Sequence, residues 1–160
     1  MKISLNDTMD LNLPKYDFRI KTDDRGCRLI FDPLRSKFVA LTPEEWVRQN
    51  FVAFLINEKN FPKGLIGNEI SLTQNGIKRR CDTLVSDKNG EPLVIVEYKA
   101  PGVAISQHTF DQIVRYNSVF LARYLIVSNG LAHYCCQIDY ENKSYRFLQD
   151  IPQYEQLNAI

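Results

Sequence analysis

Apolar and polar positions alternate along much of the 160-residue chain, and changes in the period of that alternation divide it into elements. Residues 16–41 read as strand segments: YDFRIKT, a turn at DDRG, then CRLIFD. At Thr42 the signal changes. A threonine followed by Pro43 and Glu45 marks a helix start, with the hydroxyl as cap, proline first and glutamate third. Val47, Phe51, Phe54 and Leu55 then recur at helical spacing, which predicts a helix to about Lys59, before Phe61-Pro62.

From Leu65 the period becomes two. LIGNEISL, IKRRCDTLVSD and PLVIVEYK read as three strands joined at Asn75-Gly76 and Asn89-Gly90, dipeptides favoured in two-residue hairpin turns. SQHTFDQIVRYNSVFLA predicts a helix with Phe110, Ile113, Val114 and Phe120 toward a core, and YLIVSNG a buried strand. After Asn129-Gly130, LAHYCCQID and SYRFLQ extend the sheet. This order predicts an α/β fold: a mixed sheet made of an antiparallel meander and a helical crossover, flanked by helices.

Composition narrows the class. Hydrophobic residues make up 44% and charged residues 24%, as in an ordinary soluble domain, so residues 1–160 read as one domain with 1–40 as an N-terminal strand extension. The net charge of +1, from 20 basic and 19 acidic residues, confines any nucleic-acid surface to a local patch. No run approaches the roughly 18 apolar residues of a membrane span, and the start lacks a signal peptide's apolar core. Cys27, Cys81, Cys135 and Cys136 form no CxxC pair and no zinc spacing with His108 or His133. The expectation is a cytoplasmic protein with free thiols, Cys135 and Cys136 lying on opposite faces of one strand.

One stretch carries candidate chemistry. The apolar run 93–96 ends in Glu97 and Lys99, whose spacing puts both on one face of a strand. Charges there are costly unless paired or used. Tight turns at both Asn-Gly pairs would set Asp82 opposite Glu97, and Glu69 opposite Asp82 from the other side, with Lys99 one step along. A bulge in either hairpin would break this row. Opposed like charges are destabilising, so something must neutralise them. Two readings stay open: a hard cation such as Mg²⁺ or Mn²⁺ held by the carboxylates, or an internal ion network in which Arg79, Arg80 and Lys99 pair the acids.

Asp82 followed after fourteen residues by Glu97-Tyr98-Lys99 resembles the D-(x)n-[DE]-x-K signature of the PD-(D/E)xK nuclease superfamily, with Arg80-Cys81 where a proline often precedes the first acid. A helix bearing Glu45 precedes the sheet, and Gln112 and Tyr116 in QIVRY resemble the Q-x-x-x-Y motif of the RecB-like branch. LTPEEWVRQ, KRRCDTLVSD, PLVIVEYKAP, FDQIVRYN and YLIVSNGLAHYC together resemble the N-terminal nuclease domain of type I restriction enzyme R subunits, over roughly residues 35–150.

That resemblance implies a restriction-endonuclease-like sheet and a metal-dependent nuclease acting on DNA. Asp82 and Glu97, with the Tyr98 carbonyl, would hold Mg²⁺ or Mn²⁺, and Lys99 would be the catalytic lysine. Glu45 would be a further active-site acid; its alternative is the capping-box partner of Thr42. Gln112 and Tyr116 would contact the substrate backbone or support Lys99. The implied reaction is phosphodiester hydrolysis with in-line displacement of the 3′ oxygen. Implied partners are DNA and a second copy or a partner subunit; the alternative is a non-catalytic nuclease-fold protein that binds nucleic acid or a partner. No G-x-x-x-x-G-K-[ST] loop occurs, so no ATP-driven translocation is expected of the chain. Glu69 is expected to pair Arg80, and Lys63, Lys78, Arg79 and Arg80 to form a solvated face. Trp46 reads as core or groove wall, and His108 as surface.

Overall fold

Thr42 caps the first helix as its sequence requires: its hydroxyl accepts from the Glu45 amide at 3.0 Å, and helix α1 runs Pro43–Glu58. The computed structural model describes residues 8–158; the first seven residues of the expected N-terminal extension, part of the start expected to lack a signal peptide's apolar core, lie outside the described residues. Ahead of α1, strands β1 (Ile20–Thr22), β2 (Arg28–Asp32) and β3 (Lys37–Ala40) form a three-stranded sheet of their own. The first is shorter than YDFRIKT suggested. Ladder pairing begins only at Ile20↔Ile30, and upstream of it Phe18 packs edge-on to Trp46 at 5.5 Å.

The main sheet has six strands in sequence order: β4 (Ile66–Gln74), β5 (Ile77–Ser86), β6 (Pro92–Tyr98), β7 (Tyr124–Ser128), β8 (His133–Asp139) and β9 (Ser144–Phe147). Only β6 and β7 pair in parallel, and helix α2 (Gln107–Asn117) makes the crossover between them. The mixed sheet with meander and helical crossover is as the sequence pattern predicted. Helix α2 stops earlier than predicted, giving way to a 3₁₀ turn at Ser118–Phe120 and Leu121 at φ 52°. Asn117 and Ser118 explain the stop, because their side chains bond back to the carbonyls of Ile113 and Arg115 at 3.0 and 2.8 Å. A short C-terminal helix α3 (Tyr154–Asn158), absent from the sequence reading, buries Tyr154 and Leu157.

The sheet separates two cores. Val94, Val96 and Tyr98 face α1 with Val47, Phe51 and Leu55; Ile95 faces α2 with Phe110, and Leu125, Val127 and Cys136 share that side. Cys135 lies in the first core and Cys136 in the second, so the two adjacent thiols do occupy opposite faces, and all four cysteines are free. Strand alternation therefore sends the odd-numbered end of β6, with Glu97 and Lys99, to the α2 side.

The two hairpins reach their registers differently. Asn75 and Gly76 have φ of 52° and 75°, the doubly left-handed pattern of a two-residue turn, and β4–β5 pairing follows it from Gln74↔Ile77 to Ile66↔Val85. The second turn is not the two-residue one expected. Lys88, Asn89 and Gly90 form a three-residue loop, with Asp87 N–H donating to the Glu91 carbonyl at 2.8 Å and Gly90 at φ 82°. Asp87 selects this loop by accepting from the Asn89 and Glu91 amides with one carboxylate oxygen, at 2.8 and 3.0 Å. A bulge between Ser86 and Val85 then restores the expected register: Ser86 pairs Pro92, but Val85 pairs Val94 and Thr83 pairs Val96. Longer turn and bulge cancel, and Asp82 comes to stand across from Glu97.

Candidate active site

The β5–β6 ladder ends at Thr83↔Val96. Beyond it, a side chain replaces the main-chain partner: the Tyr98 amide donates to Asp82 Oδ2 at 2.9 Å. Two carboxyls are thereby held side by side. Burial pushes the Glu97 acid up to about 9, the neighbouring Asp82 charge pushes the same way, and the Asn117 amide of α2 opposes both. Glu97 Oε1 is buried and makes no hydrogen bond, and the same is true of Asn117 Oδ1. Among the described residues no cationic side chain is ion-paired with Asp82 or Glu97.

Lys99, on the same face, is half-buried. Its amide is anchored to the Ser128 carbonyl at 2.9 Å, while its ammonium has no ion pair among the described residues. The alternative role of Lys99, pairing Glu97 or Asp82, is thus not taken up among the described residues. Cys81 adjoins the acids, but burial raises its thiol to about 12, with the charges of Glu97, Asp82 and Glu69 acting in the same direction. It is no nucleophile at neutral pH.

The third acid of the expected row leaves it. Glu69 has φ 56° and drops out of the ladder between Asn68↔Thr83 and Ile70↔Cys81. Strand alternation breaks there: Asn68 hydrogen-bonds Thr83, whose hydroxyl accepts from Tyr98 on the α1 side, whereas Ile70 and Cys81 pack on the α2 side. The Glu69 carboxylate turns to two guanidiniums, Arg48 at 2.5 Å and Arg80 at 2.9 Å. Pairing with Arg80 was expected; Arg48 was not.

Glu45 lies in the same ion network. It does not reach back to the Thr42 amide, which donates instead to the Ala40 carbonyl at 3.1 Å. Its carboxylate accepts from Arg35 at 2.7 Å and Gln49 at 3.1 Å and lies 3.1 Å from Arg48 Nε. Arg35 also pairs with Asp32, which accepts from Asn68 at 3.0 Å. Arg48 connects this network to the candidate site, donating from Nη1 to the Asp82 carbonyl at 2.9 Å. Glu45 therefore reaches Asp82 only through Arg48.

Gln112 and Tyr116 share an exposed face of α2. The Arg79 guanidinium stands over the Tyr116 ring, 4.6 Å from its centroid. Gln112 makes no side-chain hydrogen bond among the described residues, His108 is exposed as expected, and Trp46 is half-buried and donates to the Met9 carbonyl at 2.9 Å. The sequence assigns no role to two participants, one of them Arg48 of the E-x-V-R match with Glu45 and Val47. Arg48 follows Glu45 by three, a helical ion-pair spacing, but its other partners lie 21 and 34 residues away. Asn117 follows Tyr116 and looks like a helix-terminating residue; only its 2% exposure marks it out.

Among the described residues no three His, Cys, Asp or Glu side chains gather as a metal cage. The fit to a hard divalent cation rests instead on the Asp82–Glu97 pair. It offers oxygen donors without a cationic partner, and one of its oxygens is buried and unbonded.

Comparison with known proteins finds a family model and two solved structures. The family model described as type I restriction enzyme R protein N terminus (HSDR_N) matches residues 43–152. Among solved structures, a fragment assigned as an HsdR subunit of a type I restriction enzyme from Vibrio vulnificus YJ016 superposes with a TM-score of 0.52 at 20% identity. The match covers 71% of this chain but 24% of that one, so the chain spans about a quarter of the Vibrio polypeptide's length. A cryo-EM structure of a DrdV–DNA complex aligns over 74% of this chain and 12% of that one, with 16% identity and a TM-score of 0.45. No curated protein matches. No helix among the described residues is long and apolar enough to cross a membrane.

Proposed function

Since the chain belongs to the family of type I restriction enzyme R protein N-terminal domains, we propose that it is a metal-dependent nuclease that hydrolyses phosphodiester bonds of DNA. The observation that carries this reading is the half-buried Asp82–Glu97 pair without a cationic partner among the described residues, one Glu97 oxygen buried and unbonded, with Lys99 making no ion pair on the same strand face. An ion network built for stability would have drawn Lys99 or an arginine onto those carboxyls, as it has for Glu45 and Glu69.

In this reading Asp82 and Glu97, with the Tyr98 carbonyl, hold Mg²⁺ or Mn²⁺. The bound cation supplies charge neutralisation at the phosphate and acidifies water. The remaining roles belong to the chain. The Tyr98 amide fixes the Asp82 carboxylate, and Arg48 fixes the Asp82 main chain from behind. The Asn117 amide orients Glu97. The Lys99 ammonium stabilises negative charge on the phosphoryl oxygens or orients the attacking water. Water adds to phosphorus, the P–O3′ bond breaks, and a proton ends on the leaving 3′ oxygen. Gln112 and Tyr116, on the exposed side of α2, contact the substrate backbone. Glu45 enters as a positioning residue through Arg48.

The test is cleavage of plasmid, linear duplex, single-stranded DNA and RNA in Mg²⁺, Mn²⁺ or EDTA. Wild type is run beside Asp82→Ala and Lys99→Ala, each verified as folded. Cutting of DNA that needs the cation and disappears in both variants is the expected result. Cutting that persists in both, or that ignores EDTA, would sink the proposal. Absence of any cutting would favour a non-catalytic binding role for the same fold.

A further inference from the structure

Beyond Glu69 and Asp82, the β4–β5 hairpin leaves the body of the sheet. Residues 71–78 are exposed without a break on both strands, so this is a bare two-stranded ribbon. Its six-residue reach from the candidate site to the Asn75-Gly76 tip corresponds to about 20 Å. Residues 70–81 hold Lys78, Arg79 and Arg80 and no acid, in a chain whose charges otherwise nearly cancel. Arg80 is tied to Glu69, but Lys78 and Arg79 have no ion pair among the described residues. Pairing of Leu72 with Arg79 and Gln74 with Ile77 puts these four on one face, continuous through Arg79 with Tyr116 on α2. Leu72 and Ile77 are 39% and 52% exposed, and nothing among the described residues covers them.

From this ribbon we infer that the β4–β5 hairpin is a duplex-DNA contact, entering the major groove beside the scissile strand. The major groove of B-DNA, about 12 Å wide, admits a two-stranded ribbon, and thymine methyl groups suit exposed Leu72 and Ile77. Lys78 and Arg79 meet the flanking phosphates. The deep, narrow major groove of A-form RNA excludes such an element, and a single strand offers no groove. The inference deepens the nuclease reading by naming the β4–β5 hairpin as the element that grips the duplex, and rests on that reading for the placement of the scissile strand.

The experiment is equilibrium binding of the full chain, in EDTA, to a fluorescent 30-base-pair DNA duplex, the matching RNA duplex and the single strand. Wild type is compared with Lys78→Ala/Arg79→Ala and with Lys63→Ala/Lys88→Ala, which removes the same charge from exposed positions outside the hairpin. The hairpin variant should bind duplex DNA about tenfold or more weakly, with a salt dependence shallower by close to two phosphate contacts. The control pair should change it less than about threefold, and the RNA and single-strand affinities should move as little. Equal weakening by both double variants, equal weakening on all three nucleic acids, or no duplex binding by wild type overturns the inference. Because binding is read without turnover, the two readings separate. Cutting by a wild type whose hairpin variant still binds normally leaves the nuclease standing alone; hairpin-dependent binding without cutting does the reverse.

Discussion

The two polar clusters that meet at Asp82 are built on opposite rules. On the α1 side, Asp32, Glu45 and Glu69 are each matched to a guanidinium, from Arg35, Arg48 and Arg80. On the α2 side, Asp82 accepts from the Tyr98 amide, neither Asp82 nor Glu97 has a cationic partner among the described residues, and Glu97 leaves a buried oxygen unbonded. The first arrangement is one a fold can keep for its own sake, because each charge is met. The second holds charge in reserve for something the chain does not supply. Sequence alone made both look alike, as acids near basic residues; partner chemistry separates ligand site from scaffold.

The largest expected contrast comes from asking each cluster for both activity and stability. Asp82→Ala should lower cation-dependent DNA cleavage by about a thousandfold or more, equivalent to roughly 4 kcal/mol of barrier. Asp82→Asn, measured by urea unfolding in EDTA, should change stability by no more than about 1 kcal/mol, because no ion pair to its carboxylate is lost. Arg48→Met should do the opposite at the level of the fold. It takes one of two guanidiniums from each of Glu45 and Glu69, which keep Arg35 and Arg80, and releases the Asp82 carbonyl, a loss of about 3 kcal/mol. An Arg48→Met protein as stable as wild type would mean that the α1 network is no scaffold.

Where the sequence was legible, it was legible through local rules. Asn75-Gly76 dictated its turn, alternation placed Glu97 and Lys99 on one face, and the Thr42 cap started α1. The facing of Asp82 and Glu97 was also anticipated, although the second turn was read as two residues where Asp87 makes it three. The bulge that compensates has no signature in the apolar run 92–96, since both registers bury β-branched and leucine side chains. Long-range partners were not legible. Arg48 finds Glu69 and Asp82 only once two hairpins are assembled beneath α1, and Glu69 leaves the expected row because those arginines draw its carboxylate away. Asn117 meets Glu97 across a crossover, for which no spacing rule exists.

A smaller effect should be visible in pH dependence. The Glu97 acid, ordinarily at 4.5, is raised to about 9, so the folded protein keeps a proton that the unfolded chain releases. Stability in EDTA should therefore fall as pH rises from the ordinary carboxylate range toward 9, with a slope of at most about 1.4 kcal/mol per pH unit. Glu97→Gln, which cannot ionise, should flatten that slope. Added Mg²⁺ should raise the melting temperature of wild type at pH 8 and leave Glu97→Gln less affected. A wild-type profile that rises with pH across this window would show that the pair is not what ionisation opposes.

The smallest change tests the boundary between the clusters. Asn117 is 2% exposed, its Nδ2 already bonds the Ile113 carbonyl, and its amide lowers the Glu97 acid that burial and Asp82 raise. If it is part of the ligand site, Asn117→Ala should move the ionisation of Glu97 further upward and weaken the cation's stabilising effect severalfold, by about 1 kcal/mol or less. If it only closes the end of α2, the variant should lose stability equally at every pH and leave the cation response intact. Carboxyl-carbon NMR titration of Glu97 in the two proteins distinguishes these outcomes, because it reads the carboxyl and not the helix. An upward midpoint shift would put an α2 residue among the groups that tune the acid, so that the crossover helix, and not the sheet alone, sets how readily the pair accepts a cation.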